Sequence, residues 1–255
     1  MKPVTTEDLK TLYVPPPDSH KGQNGKLLVI GGSHLFHAAS LWALTVASRI
    51  VDLVHYSSVP ENNEMVKNEF RNGIVVPRED VEEYIEEDDA VLIGPGMTRD
   101  DETENLTNSL LKKFPRKQWI IDAGALQMMD VPLIPKNAIL TPHHKEFERL
   151  DSKEHFAAEH RCIVLLKGKE DIAFGPGGET RVIEGGNAGM TKGGTGDVLA
   201  GLIAALSCKN DPFLATIVGS FINKKAGDEL YKKVGPYFNA SDLANQIPNV
   251  MRLLS

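Results

Sequence analysis

Short, nearly all-apolar runs recur along this chain, each closed by glycine or a polar residue and followed by a stretch of different spacing. Lys26-Leu27-Leu28-Val29-Ile30 ends in Gly31-Gly32-Ser33, and residues 53–57, 73–76, 90–93, 119–122 and 138–141 repeat the pattern. Runs this short and this apolar read as strands buried on both faces, the habit of parallel sheets. In the stretch 38–51, Ala39, Trp42, Ala43, Val46, Ala47 and Ile50 lie at helical intervals, and residues 79–87 and 103–114 are further helical candidates. Strands alternating with helices predict an α/β fold: a mostly parallel central sheet with helices on both faces. In such sheets ligands gather beyond the carboxyl ends of the strands.

The pattern changes after residue 160. Residues 162–167, 171–174 and 181–184 follow one another closely, with Gly175-Pro176-Gly177-Gly178 as a turn, so this part of the sheet is expected to turn antiparallel. Residues 211–233 and 240–254 carry apolar side chains at three- and four-residue intervals and predict a helical final third. At the other end, residues 1–26 read as an arm: a short helix, then Val14-Pro15-Pro16-Pro17-Asp18, which cannot continue it. A single domain over residues 1–255 is expected, because 41% hydrophobic content is ample for one core and no linker or repeat interrupts the chain.

The glycine-rich stretch Asn187-Ala188-Gly189-Met190-Thr191-Lys192-Gly193-Gly194-Thr195-Gly196-Asp197 runs straight into an apolar helical segment, 198–206. Gly193, Gly194 and Gly196 let several backbone N–H groups converge at a helix start, which makes an anion hole. Thr195 adds a hydroxyl donor. Asp197 falls in the first helical turn, a carboxylate beside a site built for negative charge. The role that fits is general base, taking a proton from a hydroxyl that attacks a phosphoryl group held by the glycine amides.

Other strand ends are polar in ways that suit the same site. Gly94-Pro95-Gly96-Met97-Thr98 follows one run and allows close backbone approach to a ligand, although it lacks a dinucleotide fingerprint's third glycine. Asp122-Ala123-Gly124-Ala125 ends another with a carboxylate suited either to magnesium or to capping a helix. In Thr141-Pro142-His143-His144-Lys145-Glu146, His143 is placed to bond a ligand and Glu146 to hold magnesium through water. Lys167, closing the run before Gly168-Lys169, sets a cation where nucleotide phosphates would lie. No Gly-x4-Gly-Lys-Ser/Thr pattern occurs, which disfavours a P-loop.

Charge and composition exclude several classes. The net charge is −7, and the 28 lysines and arginines form no long basic run, so nucleic acid is not an expected partner. Cys162 and Cys208 sit among apolar residues without metal-site spacing, which suits a reducing, cytoplasmic setting. The first residues carry no apolar leader core, and the longest apolar helical run, 198–206, is too short to span a bilayer, so no membrane association is expected.

The ordered set His20-Lys21-Gly22, Gly31-Gly32-Ser33, Ala38-Ala39, Gly94-Pro95-Gly96, Asp122-Ala123-Gly124-Ala125, Thr141-Pro142-His143 with Glu146, Leu166-Lys167-Gly168 and Gly189 through Asp197 resembles the NAD(P)H-hydrate dehydratases of the ribokinase-like fold. The resemblance spans nearly the whole chain. It implies a three-layer α/β/α fold and a reaction that restores NADH and NADPH from their S-form hydrates at the expense of ADP or ATP, with Mg2+ as cofactor. A phosphoryl group passes to the hydrate's ring hydroxyl and then leaves as phosphate. By the same resemblance Asp197 is the base, and Ala38, Ala39, Gly96 and His143 contact the hydrate. Lys167, Gly168, Lys169, Glu170 and Asp171, with Gly193, Gly194, Thr195 and Gly196, hold the nucleotide. The resemblance further implies a tetrameric homo-oligomer and, since the residues before the first strand leave no room for an epimerase domain, a separate NAD(P)H-hydrate epimerase in the same pathway. Stand-alone relatives point to ADP as the preferred donor.

The chain departs from the family pattern where His37 replaces a common glycine and where His144-Lys145 replace Pro-Gly. Two other readings compete: a hydroxyethylthiazole- or hydroxymethylpyrimidine-type small-molecule kinase, which would release a stable phosphate ester, and a nucleotide-sensing module without turnover.

Overall fold

A computed structural model describes residues 1–150 and 155–254. Its strands are β1 (Lys2–Pro3), β2 (Lys26–Ile30), β3 (Leu53–Ser57), β4 (Ile74–Val75), β5 (Ala90–Ile93), β6 (Gln118–Ile121), β7 (Ile139–Leu140), β8 (Ile163–Leu166), β9 (Asp171–Phe174) and β10 (Thr180–Ile183). The helices are α1 (Thr6–Leu9), α2 (His37–Ala47), α3 (Pro60–Glu69), α4 (Val81–Glu87), α5 (Asp101–Lys113), α6 (Ala123–Met128), α7 (His144–Arg149), α8 (Phe156–His160), α9 (Thr195–Ser207), α10 (Pro212–Val234) and α11 (Ala240–Leu254).

All ten strands share one sheet, in the order β1-β10-β9-β8-β7-β6-β5-β2-β3-β4. Pairing is parallel except where β9 runs antiparallel to β8 and β10, the reversal expected from the glycine turn. Period-two alternation divides the apolar side chains between the two faces. On β2, Leu27 and Val29 join the cluster under α2, α9, α10 and α11, whereas Leu28 and Ile30 join the one under α4, α5 and α6. All four are fully buried, which is why the run reads as continuously apolar. The result is three layers, helices on each side of the sheet.

The segment before β2 is more than a tether. β1 pairs with β10 at the sheet edge, Val4 is buried, and the Arg181 guanidinium donates to Lys2 O, Pro3 O and Asp8. The unexpected helix α3 is polar; its buried Asn62 donates to Ser33 O at 3.0 Å, an anchor that hydrophobic periodicity does not register. α9 crosses α2 closely: a Cβ on Gly201 would come within 2.6 Å of Ala43 Cα.

Candidate active site

The neighbouring strands β6 and β7 end in register, β8 runs two residues further, and the residue after each is polar. The parallel register sets Asp122 beside Thr141, and Lys167, two residues further along opposite His143, reaches back to them with its side chain. Thr141 Oγ1 donates to Asp122 Oδ1 at 2.8 Å, and Lys167 Nζ lies 3.0 Å from the same oxygen. Asp122 occupies the N-cap position of α6 but makes no side-chain cap hydrogen bond, so its carboxylate is turned to the lysine instead.

α9 starts beside this cluster. Gly194, its N-cap, has φ +93, a left-handed conformation suited to glycine, and a Cβ there would collide with the Trp42 ring. That amends the expectation for Gly194: its missing side chain makes room for Trp42 rather than for a phosphate. Gly193 is open, and Gly196 faces the cation, with its ideal Cβ position 3.6 Å from Lys167 Nζ. The Thr195 hydroxyl faces the carbonyls of Met190 and Lys192, at 2.7 and 2.9 Å, and so braces the turn rather than pointing a free donor at a ligand.

One turn of backbone further on, burial, and then the negative charge of Asp122, push the Asp197 carboxyl up to about 7, with Lys167 partly offsetting both. Burial works against the Lys167 charge, yet the carboxylates of Asp122, Glu146 and Asp197 outweigh it and hold that pKa above the ordinary lysine value. The arrangement is a carboxylate able to exchange a proton near neutrality, beside a fixed cation and a helix N-terminus.

A cavity of about 520 Å³ opens from this point. Of the residues expected to hold nucleotide, Lys167, Gly168, Lys169, Asp171, Thr195 and Gly196 line it, while Glu170, Gly193 and Gly194 do not. Asp171 is a strut. Its Oδ1 accepts from Gly168 N at 2.9 Å and pairs with Lys224 Nζ at 3.2 Å, and its Oδ2 accepts from Ser220 Oγ at 2.7 Å. Lys224 also donates to the carbonyls of Gly168, Lys169 and Gly185, so this buried pair stitches the loop after β8 to α10. Neither Lys224 nor Asn223, which also lines the cavity, stood out in the sequence. A lysine inside the buried run of α10 was the available signal, since a buried ammonium needs a partner.

A second corner forms where β2 and β5 end. Gly96 has φ +76, and its ideal Cβ position lies 3.0 Å from the Ala39 methyl, so Ala38-Ala39 and the Gly94–Gly96 turn meet there. His37 is exposed at the first turn of α2. His143 caps α7: its Nδ1 accepts from Glu146 N at 3.1 Å, which places the proton of the neutral ring on Nε2, 3.6 Å from Glu146 Oε2. A backbone bridge sets His143 against Lys167.

Glu146 is buried. Its Oε2 accepts from His143 N at 2.9 Å and its Oε1 from Gln127 Nε2 at 2.8 Å. Each oxygen keeps a lone pair for a water, so a water-mediated link to magnesium fits the donor set. Among the described residues no group of three or more His, Cys, Asp or Glu could hold a metal ion.

A mostly parallel sheet whose carboxyl edge presents a glycine turn, a helix start and a buried carboxylate defines a protein of ribokinase-like fold. A solved structure with that architecture, the ADP/ATP-dependent NAD(P)H-hydrate dehydratase from Bacillus subtilis co-crystallised with ATP/Mg2+, matches with a TM-score of 0.87 at 24% identity, over 100% of this chain and 99% of that one. The family described as NAD(P)H-hydrate dehydratase matches residues 27–249, and the chain belongs to it. It is 40% identical to the bifunctional NAD(P)H-hydrate repair enzyme of Methanocaldococcus jannaschii over 96% of this chain and 52% of that protein, so it spans about half the length of that relative. It is also 36% identical to the ADP-dependent (S)-NAD(P)H-hydrate dehydratase of Nitrosopumilus maritimus, over 92% of this chain and 91% of that protein. No helix among the described residues is long and apolar enough to cross a membrane.

Proposed function

We propose that this chain dehydrates the S form of hydrated NADH and NADPH, using ADP as phosphoryl donor in preference to ATP. The observation that carries the proposal is the Asp197 carboxyl, held near neutrality at the start of α9 beside the Lys167 ammonium. The nucleotide lies in the cavity with its terminal phosphate toward Gly196 and Lys167. Asp197 takes the proton of the hydrate's ring hydroxyl as that oxygen attacks the terminal phosphorus, and AMP leaves. The phosphorylated ring then loses inorganic phosphate and a ring proton, which restores the dihydronicotinamide; the net change in the coenzyme is loss of water. Lys167, anchored by Asp122, meets the negative charge of the transferring group.

Ala38, Ala39 and Gly96 form the wall against the hydrate, and the half-exposed ring of His143 supplies a donor to it. Magnesium, when bound, offsets the charge of the donor phosphates, with Glu146 holding it through water. The membership of this family and the ADP dependence named for the Nitrosopumilus relative support the choice of donor. The reading includes a cytoplasmic setting, a homotetramer and an NAD(P)H-hydrate epimerase supplying the S form.

The test is an absorbance assay at the reduced-nicotinamide band, with hydrated NADH or NADPH, magnesium, and either ADP or ATP freed of the other. Recovery of absorbance with release of AMP and phosphate supports the reading. A stable phosphate ester without recovery would replace it with a small-molecule kinase, and faster repair with ATP would reassign the donor alone.

A further inference from the structure

Asn223 sits in the buried middle of α10 and is only 3% exposed. Its Oδ1 is sealed from solvent and accepts no hydrogen bond among the described residues. The neighbours on the same helix contrast with it. Ser220 and Lys224 both spend their polar atoms on Asp171. A buried carbonyl oxygen without a donor is a standing cost to the folded state.

Asn223 also lines the large cavity, together with Met190, Leu199, Gly185 and Gly186. Thr195, Gly196 and Lys167 form the anion end of that cavity. Two apolar side chains and two glycines, whose peptides are bare, suit the flat faces of a heterocyclic base. A nucleotide with its phosphates at Gly196 carries its base into the rest of the cavity, whose wall includes Asn223 with its Oδ1 held by no hydrogen bond among the described residues.

We infer that Asn223 reads the donor's base and selects adenine, Oδ1 accepting from the 6-amino group and Nδ2 donating to N7. An asparagine amide and that edge of adenine are complementary, acceptor to donor and donor to acceptor. Guanine presents two acceptors on the same edge, O6 and N7, and leaves Oδ1 facing an oxygen. This inference rests on the reading of the cavity as the nucleotide site. It adds what that reading lacks, a residue that decides which nucleotide enters.

The test is calorimetric titration of the full chain with ADP, GDP and 2′,3′-dideoxy-ADP, on the wild type and on Asn223→Ala, with Asn223→Ser read instead if the alanine variant melts early. Because Oδ1 holds no partner, Asn223→Ala is expected to melt no lower than the wild type. Affinity for ADP and for dideoxy-ADP should fall alike, by about tenfold, while affinity for GDP stays unchanged. Equal losses for ADP and GDP, a loss confined to ADP with its ribose hydroxyls, or no loss at all would overturn the assignment. Gly196→Val separates the two layers of the argument. If ADP binding survives that substitution, the nucleotide lies elsewhere and both readings fall. If Gly196→Val abolishes ADP binding and Asn223→Ala leaves selectivity untouched, only the role of Asn223 falls.

Discussion

Lys167 lays its ammonium 3.0 Å from Oδ1 of Asp122, the oxygen that also accepts the Thr141 hydroxyl. The two charged residues come from the ends of strands that β7 separates, so the sheet itself fixes their distance. The pair sets the electrostatics of α9's first turn: Asp122 supplies a negative charge that helps hold the Asp197 proton, and Lys167 stays charged in spite of burial.

The first consequence is a pH profile. The base role proposed for Asp197 requires its deprotonated form, so kcat/KM for hydrate repair should rise with pH along a limb centred at about 7. Asp122→Asn removes a neighbouring negative charge while leaving the Lys167 cation, and should move that limb to lower pH. A limb that stays in place would show that Asp122 does not set the proton affinity of the base.

The same shift has a stability side. A carboxyl raised to about 7 in the folded state keeps a proton that the unfolded chain has already lost above its ordinary pKa of 3.8. Stability therefore falls as pH rises between those values and stays lowered above them. Asp197→Asn cannot lose that proton. It should melt higher than the wild type at about pH 8 and close to it at about pH 4. An equal gain at both would assign the effect to packing.

Much of this site is legible in the sequence, and the parts that are not share a physical cause. β2, β3, β5 and β9 stand where the sequence places them, and for β2 and β5 the reason is burial on both faces, which leaves a nearly unbroken apolar signature. β1 is two exposed residues at an edge, and α3 is anchored through Asn62; neither has an apolar period to find. Gly196 and Asp197 stand out as a motif beside a helix start. Asn223 and Lys224 come from a helix remote in sequence and reach the cavity through packing of α10 against α9, a tertiary relationship that no local pattern encodes.

The glycines of the turn separate into two kinds. Gly194→Ala puts a methyl into the Trp42 ring on a left-handed backbone and should lower Tm markedly, by the equivalent of about 1–3 kcal/mol or more. Gly196→Val has no backbone strain and places its side chain toward Lys167, so it should fold normally and lose nucleotide affinity while keeping affinity for the dinucleotide. Thermal melts and separate titrations with ADP and NADPH check both. Equal loss of both ligands in the Gly196 variant would point to a general defect.

The buried Asp171–Lys224 pair makes a prediction about folding. Lys224→Met strands the Asp171 carboxylate with Ser220 and Gly168 as its remaining donors, at a cost of about 3–5 kcal/mol. Asp171→Asn combined with Lys224→Met should recover much of that loss. Denaturant melts of the single and double variants measure it, and strictly additive losses would mean the two residues act independently.

Asp197 as the base is tested most directly by the turnover of Asp197→Asn in hydrate repair with ADP, measured beside its ADP affinity. The amide removes a negative charge next to the proposed phosphate site, so the variant should bind ADP at least as well as the wild type. Without a base to take the hydroxyl proton it should turn over at about a hundredth of the wild-type rate or less. Normal ADP binding with more than about a tenth of wild-type turnover would contradict the role given to Asp197.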